Sequence, residues 1–422
     1  MNNKETFCIL PFVHLYTQPN GEVKPCCIAG GFDDKQFLRE KSIEDIFNSG
    51  EYKQLRHDML NGKRNKACEV CYKKEDIGES SPRQMFNSNT LWTMPEVKED
   101  YSVVTQFQHI DIRFSNLCNF KCRMCNYSFS SNWYDDTVKL RTLRVHNEHL
   151  SHIVNKKAKV MKASPTLVTD LKPHLNHLKS VYFAGGEPLI MPEHYELLKF
   201  LYDTLEVRQD TGKRRLSIHY NTNLSVIKYD EQSLINLWEG FERVFLSISC
   251  DGIGKVGEYQ RVGFNHERFV ENLNTIKKYF TSGGTHEVAS GMMYNFQYTT
   301  TIWNAYHIFD FVNFMLDNQY ITSSDQIDFY YAWTPLNASI NNLTQSEKNR
   351  LVNFLETGIV NTNLTPKTIS EIQKIIKYIQ TPNSGDIKDL LIYTRVLDEL
   401  NSTDVMTLNG VNFNNMLQET YG

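Results

Sequence analysis

The stretch HIDIRFSNLCNFKCRMC, residues 109–125, joins the pattern of a β-strand to a group of cysteines. Residues 109–115 alternate polar and apolar side chains, as a strand with one buried face does. Cys118, Cys122 and Cys125 follow directly, in the spacing C-x3-C-x2-C. Ligand sites of α/β folds form at the C-terminal ends of parallel strands. The stretch therefore predicts a ligand site at the end of a strand in an α/β fold.

Three thiolates at this spacing can bind one soft metal centre. A tetrahedral zinc site needs a fourth ligand nearby, but no Cys follows before the next His, His146. On a 4Fe–4S cluster, three thiolates leave one iron without a protein ligand, so that this iron can bind a substrate. The spacing favours such a cluster, and a zinc site completed by a distant residue is the alternative.

The composition indicates a globular chain whose cysteines bind metal. The chain has 422 residues, 41% of them hydrophobic, and its net charge of −4 argues against a nucleic-acid partner held by bulk charge. No run approaches the roughly 18–20 apolar residues that span a bilayer, and the first residues, MNNKETFCILPF, lack the pattern of a secretory signal. We therefore expect a soluble, cytoplasmic protein without a membrane partner. In that compartment clustered cysteines are metal ligands more often than disulfides, and eight of the nine lie in the first 125 residues.

Three further segments end predicted strands with residues that can contact a ligand. The segments are SVYFAGGEP, LSIHYNTNL and RVFLSISCDG. Paired glycines let a backbone approach a ligand closely, and an arginine binds a carboxylate through two parallel hydrogen bonds. The residues concerned are Gly185, Gly186, Glu187 and Pro188; Thr222 and Asn223; Ser249 and Asp251; and the later Arg261.

Together with these three downstream segments, the three-cysteine motif resembles the signature of radical S-adenosylmethionine (radical SAM) enzymes. The resemblance implies that Cys118, Cys122 and Cys125 bind a 4Fe–4S cluster whose open iron chelates SAM. It implies that the GGEP element holds the amino group of SAM, that Ser249 lines the ribose and that Arg261 pairs with the carboxylate. Thr222, Asn223 and Asp251 match further positions of the family pattern.

Strand and helix patterns alternate along the chain, which is typical of a parallel sheet. Periodicity alone does not separate six such units from a doubly wound sheet, but the resemblance implies an α/β fold with a (βα)6 partial TIM-type barrel. The predicted strands are residues 109–115, 180–184, 216–221, 243–250, 289–300 and 326–333. The expected division is a cysteine-rich auxiliary module at 1–100, a radical SAM barrel at 101–335 and a helical C-terminal segment at 336–422, either a cap or a lid.

The first hundred residues hold a second group of cysteines. The turn residues 18–21, QPNG, predict a hairpin that brings Cys8 near Cys26. Cys68 and Cys71 form a C-x2-C pair further on, and the four thiolates together make one closed site. Their spacing alone leaves zinc and a second iron–sulfur cluster about equally favoured.

This pattern resembles the auxiliary-cluster modules called twitch and SPASM domains, which favours iron–sulfur and implies a second 4Fe–4S cluster. The matching features include NGEVKPCC and a predicted helix over residues 42–61 with Ser42 as its N-cap. The module precedes the barrel here, whereas it follows the barrel in most such enzymes. Cys27 is the alternative ligand to Cys26, since adjacent residues of a strand point to opposite faces.

The resemblance implies an enzyme that reductively cleaves SAM to a 5′-deoxyadenosyl radical, which abstracts hydrogen from a substrate. The auxiliary cluster favours net oxidation, by dehydrogenation or bond formation on a small molecule, a carbohydrate or a peptide, with an external electron donor such as flavodoxin or ferredoxin. A redox-neutral epimerase is the alternative, with Cys250 as a candidate hydrogen donor, although strand alternation turns Cys250 toward the core. An iron–sulfur electron-transfer or sensor protein is the alternative of another class.

Overall fold

The computed structural model describes residues 5–145, 159–229, 232–282 and 291–421. Strands and helices alternate along most of this length. The strands are β1 His14–Thr17, β2 Glu22–Lys24, β3 Gln36–Phe37, β4 His109–Ile112, β5 Lys121–Cys122, β6 Ser180–Phe183, β7 Arg214–Thr222, β8 Lys228–Tyr229, β9 Gln232–Ser233, β10 Phe241–Ser249, β11 Arg261–Val262, β12 Thr281–Ser282, β13 Met292–Thr300 and β14 Ile327–Tyr331.

The helices concentrate in the connections between strands and in the last part of the chain. They are α1 Leu10–Val13, α2 Ile43–Phe47, α3 Gly50–Leu60, α4 Glu69–Asp76, α5 Pro82–Ser88, α6 Tyr134–Thr142, α7 Leu167–Leu171, α8 Pro192–Thr204, α9 Leu234–Trp238, α10 Gly254–Gln260, α11 His266–Ile276, α12 Ile308–Asp317, α13 Gln345–Asn361, α14 Pro366–Ile379, α15 Ile387–Asn401 and α16 Phe413–Tyr421. Among the helices in the described ranges, none is long and apolar enough to cross a membrane.

The chain divides into two compact units. Unit 1 comprises residues 1–116, 160–220 and 236–244, and unit 2 comprises residues 117–159, 221–235 and 245–422. This grouping does not coincide with the boundaries near 100 and 335 that the sequence predicts. The physical reason lies in unit 1, where β1 of the N-terminal hairpin pairs in parallel with β4 and so joins the same sheet.

The sheet of unit 1 has the strand order β3-β2-β1-β4-β6-β7 and continues into the first residues of β10. Strands β1, β4, β6 and β7 pair in parallel. One face of this sheet is apolar. On this face, the residues that pair with one another across the four parallel strands form one fully buried row. That row consists of Leu15, Ile110, Val181 and Ile218. The opposite face carries polar side chains, as the alternation in residues 109–115 predicts.

In unit 2, the later part of β10 neighbours β13, which pairs in parallel with β14. Helix α14 covers the outer edge of β14, where the backbone N–H of Phe329 donates to Glu371 Oε2 at 3.1 Å. An edge strand needs such a partner because its backbone groups are otherwise unpaired. All six strands predicted from the sequence are present; residues 289 and 290 of the fifth lie outside the described ranges.

The predicted N-terminal hairpin is confirmed, but the helix predicted over residues 42–61 forms as two. Ser42 caps α2 by accepting from the N–H of Asp45, and Ser49 caps α3 by accepting from the N–H of Tyr52. A second N-cap residue starts a separate helix because it satisfies a free N–H group of the new first turn. The sequence Asn48-Ser49-Gly50 carried this signal.

Candidate functional site

Four cysteines of unit 1 line one small cavity, and Arg83 lines it as well. They are Cys8, Cys26, Cys68 and Cys71. Burial raises the pKa of the Cys8 thiol to about 12, with the nearby Cys71 adding to the effect. Since several buried thiolates would repel one another, a cationic metal centre is what would stabilise them together. The set fits a closed four-thiolate site.

The cavity is built by short elements that the N-terminal residues hold in place. Gly30 N–H donates to Ala67 O at 3.0 Å and so ties the loop after Cys26 to the turn before Cys68. Arg83 pairs with Glu75 and donates to Phe7 O at 2.7 Å. Cys27 does not line this cavity, and its residue is exposed. Partial burial of the thiol and the nearby Asp111 raise the pKa of Cys27, while Arg113 acts in the opposite direction.

The three-cysteine loop lies in unit 2 and is held by a two-stranded ribbon. In this ribbon β5 pairs antiparallel with β11, so that Cys122 lies opposite Arg261. Arg261 Nη1 lies 3.6 Å from Cys122 Sγ, and Arg261 Nη2 lies 2.6 Å from Asp251 Oδ2. Burial raises the pKa of Cys122, and the guanidinium of Arg261 acts in the opposite direction. Burial likewise raises the pKa of Cys125 to about 12, with the neighbouring Cys122 adding to the effect.

A pair of amides joins the loop after β7 to the cysteine loop. Asn223 Nδ2 donates to Asn119 Oδ1 at 3.0 Å, and Asn119 Nδ2 donates to Ser225 Oγ at 2.8 Å. Thr222 Oγ1 accepts from Leu224 N–H at 3.0 Å and shapes the same turn. Thr222 and Asn223 therefore fix a loop against the residue that follows Cys118. Asn119 was not singled out from the sequence.

Arg123, inside the cysteine motif, is a second residue that the sequence analysis did not single out. Its side chain is 1% exposed and its Nη2 donates to Asp398 Oδ1 at 2.7 Å and to Thr403 Oγ1 at 2.6 Å. The guanidinium also lies 3.7 Å from the ring centroid of Tyr259. Helix α15 of the C-terminal segment thus anchors the cysteine loop. Nothing in the local sequence reveals a partner 275 residues away.

We expect Asp398→Ala to destabilise the protein by about 3 kcal/mol, because it leaves the buried Arg123 without its counter-charge. Glu399→Ala is the matched control, since Glu399 pairs with the exposed Arg395 and contributes no more than about 1 kcal/mol. Urea unfolding of both variants measures the difference. Equal stability of the two variants would contradict this account of Arg123.

The GGEP loop lies in unit 1, at the C-terminal end of β6. Gly185 has φ +109°, a conformation that favours glycine. A Cβ at this position would lie 3.1 Å from Ser115 O and 3.2 Å from Arg113 Cβ. Gly186 N–H donates to Ser115 O at 3.3 Å, and the buried Glu187 accepts from Leu189 N–H at 3.1 Å. The loop is therefore packed directly against the end of β4, with Pro188 opening the short helical turn Pro188–Ile190.

Gly185→Ala is expected to cost about 1–3 kcal/mol of stability, because it combines a strained backbone with close contacts. Gly50→Ala is the control, since a Cβ at that helix residue would meet nothing within 4 Å. Thermal unfolding of the two variants compares them. If Gly185→Ala unfolds at the same temperature as Gly50→Ala, the close packing of this loop is wrong.

Three residues that the sequence predicts as candidates for the site lie at the end of β10, in unit 2. Asp251 is fully buried and its Oδ1 accepts from Thr299 N–H at 2.8 Å, while Ser249 is only partly buried. Cys250 is also fully buried, and its Sγ lies 3.2 Å from Gly252 O. Burial raises the pKa of Cys250 to about 12. Its location in the core agrees with the strand alternation.

The donor set of unit 1 fits an iron–sulfur cluster. Within residues 5–145, 159–229, 232–282 and 291–421, no three Cys, His, Asp or Glu side chains converge closely enough to hold a single metal ion. In a cluster each cysteine binds a different iron, so the thiols stand further apart than around one ion. The four thiols of unit 1 that line a shared cavity suit such a cluster.

Comparison with known families identifies the N-terminal module. Residues 8–72 match the model of the SPASM domain, described as an iron–sulfur cluster-binding domain. The SPASM-like module expected from the sequence is thus confirmed, and its description supports iron–sulfur as the cofactor. The resemblance to radical SAM enzymes with such a module is supported by this match.

Several solved structures are similar to the chain at low identity. They include anSMEcpe with bound AdoMet (15% identity, TM-score 0.37, covering 61% of this chain and 62% of that one). Another is SuiB from Streptococcus suis bound to its precursor peptide SuiA (14%, TM-score 0.35, covering 74% and 65%). The similarity to the first spans less than two thirds of that protein's length, and at these TM-scores it assigns neither an activity nor a substrate. A search of curated proteins found no relative of the chain.

Proposed function

We propose that this chain is a radical SAM enzyme with two 4Fe–4S clusters, one of them auxiliary. The observation that carries the proposal is a three-cysteine loop in a chain whose residues 8–72 separately match an iron–sulfur domain. A binder of one structural cluster has no use for the second, three-thiol site. Bound at that site, the cluster and SAM would supply a 5′-deoxyadenosyl radical by one-electron reduction of the sulfonium.

In this proposal Cys118, Cys122 and Cys125 hold the SAM cluster. Arg261 is already oriented by Asp251, and its Nε is buried without a hydrogen-bond partner among the described residues. A buried donor without a partner is costly, so a ligand acceptor at this atom is expected. The remaining proposed SAM contacts are Gly185, Gly186, Glu187, Pro188, Thr222, Asn223 and Ser249.

The proposed auxiliary ligands are Cys8, Cys26, Cys68 and Cys71, because these four line one cavity and Cys27 does not. A cluster with all four irons ligated cannot readily bind substrate, so its role is electron transfer. This favours net oxidation: the substrate would lose one hydrogen atom to 5′-deoxyadenosine and one proton to solvent, and the auxiliary cluster would supply the acceptor for the remaining electron. A flavodoxin or ferredoxin would supply and remove electrons.

We propose a peptide as the substrate. The supporting feature is the polar face of the unit 1 sheet, where Asp111 and Arg113 offer an acceptor and donors in one neutral pair. We further infer a (βα)6 barrel over about residues 101–335, an N-terminal auxiliary module over 1–100, a helical segment over 336–422 and a cytoplasmic location, the compartment that keeps cysteines reduced for clusters.

Epimerisation is the second candidate, and one observation favours it. Cys27 is an exposed residue close enough to Asp111 and Arg113 to interact with them electrostatically, so it lies where a substrate radical could take hydrogen. Cys250 is less suited, because it is buried and directed at Gly252 O.

Reaction in deuterium oxide distinguishes the two candidates. The reduced enzyme is incubated with SAM and candidate peptides, and the peptide products are analysed by mass spectrometry. Net oxidation predicts a product lighter by a pair of hydrogen atoms, formed equally by the Cys27→Ala variant. Epimerisation would instead give a product that has lost no hydrogen atoms but carries one deuterium in place of hydrogen. The Cys27→Ala variant would fail to form this product.

A further inference from the structure

A row of polar side chains crosses four parallel strands of unit 1. In the register of these strands Tyr16 lies beside Asp111, Asp111 beside Tyr182, and Tyr182 beside His219. Register partners on adjacent strands project from the same face of a sheet. This face is opposite the one that carries the buried row of Leu, Ile and Val. The row therefore forms a polar floor rather than part of the apolar core.

A largely buried ion pair stands in this floor. Arg113, the residue directly after β4, pairs with the Asp111 carboxylate and stacks 4.5 Å from the ring centroid of Tyr16. Asp111 is 4% exposed. Burying both charges costs more in lost hydration than a simple apolar pair would, so a buried pair adds little to stability. Its position suggests binding instead.

The ion pair leaves hydrogen-bonding groups unused. The Arg113 guanidinium donates through Nη1 to Asp111 Oδ1, and the described residues supply no partner for its remaining N–H groups or for the other Asp111 oxygen. A guanidinium has five N–H donors, and a carboxylate accepts at both oxygens. Several donors and one acceptor therefore remain for a ligand.

The floor lies near two elements of the proposed site in unit 1. One is the GGEP loop, since a Cβ on Gly185 would lie 3.2 Å from Arg113 Cβ. The other is the segment that holds the proposed cluster ligand Cys26, because the next residue, Cys27, interacts electrostatically with Asp111 and Arg113. A substrate held here would be adjacent to both elements.

We propose that Asp111 and Arg113 bind a peptide amide group of the substrate, with the carbonyl accepting from Arg113 and the N–H donating to Asp111. The charge of the pair selects this class. Because Asp111 already neutralises Arg113, a carboxylate ligand would add an uncompensated negative charge to a buried site. An amide satisfies both partners without adding charge. This assignment rests on the proposed function, whose peptide substrate it explains.

Calorimetric titration of the cluster-loaded, SAM-bound enzyme tests the assignment. The probes are tetrapeptides from an N-acetylated, C-amidated library, each compared with its free-acid form. We expect a capped peptide to bind the wild type, and Asp111→Asn or Arg113→Gln to weaken it roughly 10- to 100-fold, the usual effect of losing a hydrogen bond to a charged group. Arg215→Gln, an exposed arginine of β7, is the matched control and should bind as the wild type does.

The double variant Asp111→Asn with Arg113→Gln removes both charges together and so guards against misfolding caused by one unpaired charge. Iron content and far-ultraviolet circular dichroism confirm that each variant is intact. If no capped peptide binds the wild type more tightly than the double variant, or if only free acids bind, the assignment is wrong. Formation of 5′-deoxyadenosine without peptide is scored separately, so that failure of the proposed function is recognised independently.

Discussion

Replacing Cys118, Cys122 and Cys125 together by Ala will halve the iron of the reconstituted protein, from about eight to about four per chain, and abolish cleavage of SAM. The three thiols hold the only cluster that has an open iron in this account. Without that iron SAM has neither its chelating partner nor its source of the electron. The remaining iron belongs to the N-terminal module and should be unchanged.

Anaerobic reconstitution followed by iron and sulfide analysis measures this effect. Cys27→Ala serves as the control, because its thiol lies outside the cavity of the four proposed auxiliary ligands and should leave about eight irons in place. A triple variant that retains all of its iron would place the open cluster elsewhere. A variant that holds zinc in place of iron would show that the N-terminal module is structural.

The double variant Cys68→Ala with Cys71→Ala should lose the other half of the iron and also unfold at lower temperature. These residues form the closing pair of the cavity, and the free energy of metal binding adds directly to the stability of a small metal-binding module. Uncoupled formation of 5′-deoxyadenosine should persist, since the SAM cluster is in the other unit. Formation of oxidised product should stop, because the electron from the substrate has no acceptor.

Iron analysis, thermal unfolding and product analysis of one preparation separate these effects. Cys250→Ala is the companion variant: it deletes a buried thiol that no proposal assigns to a cluster, so both clusters should remain. Oxidised product at the wild-type rate from the double variant would show that the auxiliary cluster takes no part in the reaction.

Local pattern predicted much of this fold. The alternation in residues 109–115 predicted a strand with one polar face, and the structure has both β4 and that face. The turn residues 18–21 predicted the first hairpin, which is also present. These features depend on neighbours in the chain, so the sequence carries their signals directly.

Contacts between distant segments could not be predicted in this way. The parallel pairing of β1 with β4 draws the N-terminal hairpin into the sheet of unit 1, and no local pattern specifies which strands become neighbours. The Arg123–Asp398 pair joins the cysteine loop to α15, and no local pattern identifies these two residues as partners either. The Asp111–Arg113 pair was visible as two polar positions of one strand, but only the register with Tyr16 and Tyr182 reveals the row they belong to.

The central claim is that the three-cysteine loop supports reductive cleavage of SAM. The most direct test incubates the anaerobically reconstituted wild-type protein with SAM and dithionite and measures 5′-deoxyadenosine and methionine by liquid chromatography with mass spectrometry. The account predicts that both products form in equal amounts, and that the Cys118, Cys122 and Cys125 triple variant forms neither. Intact SAM in the presence of a fully loaded, reduced protein would contradict it.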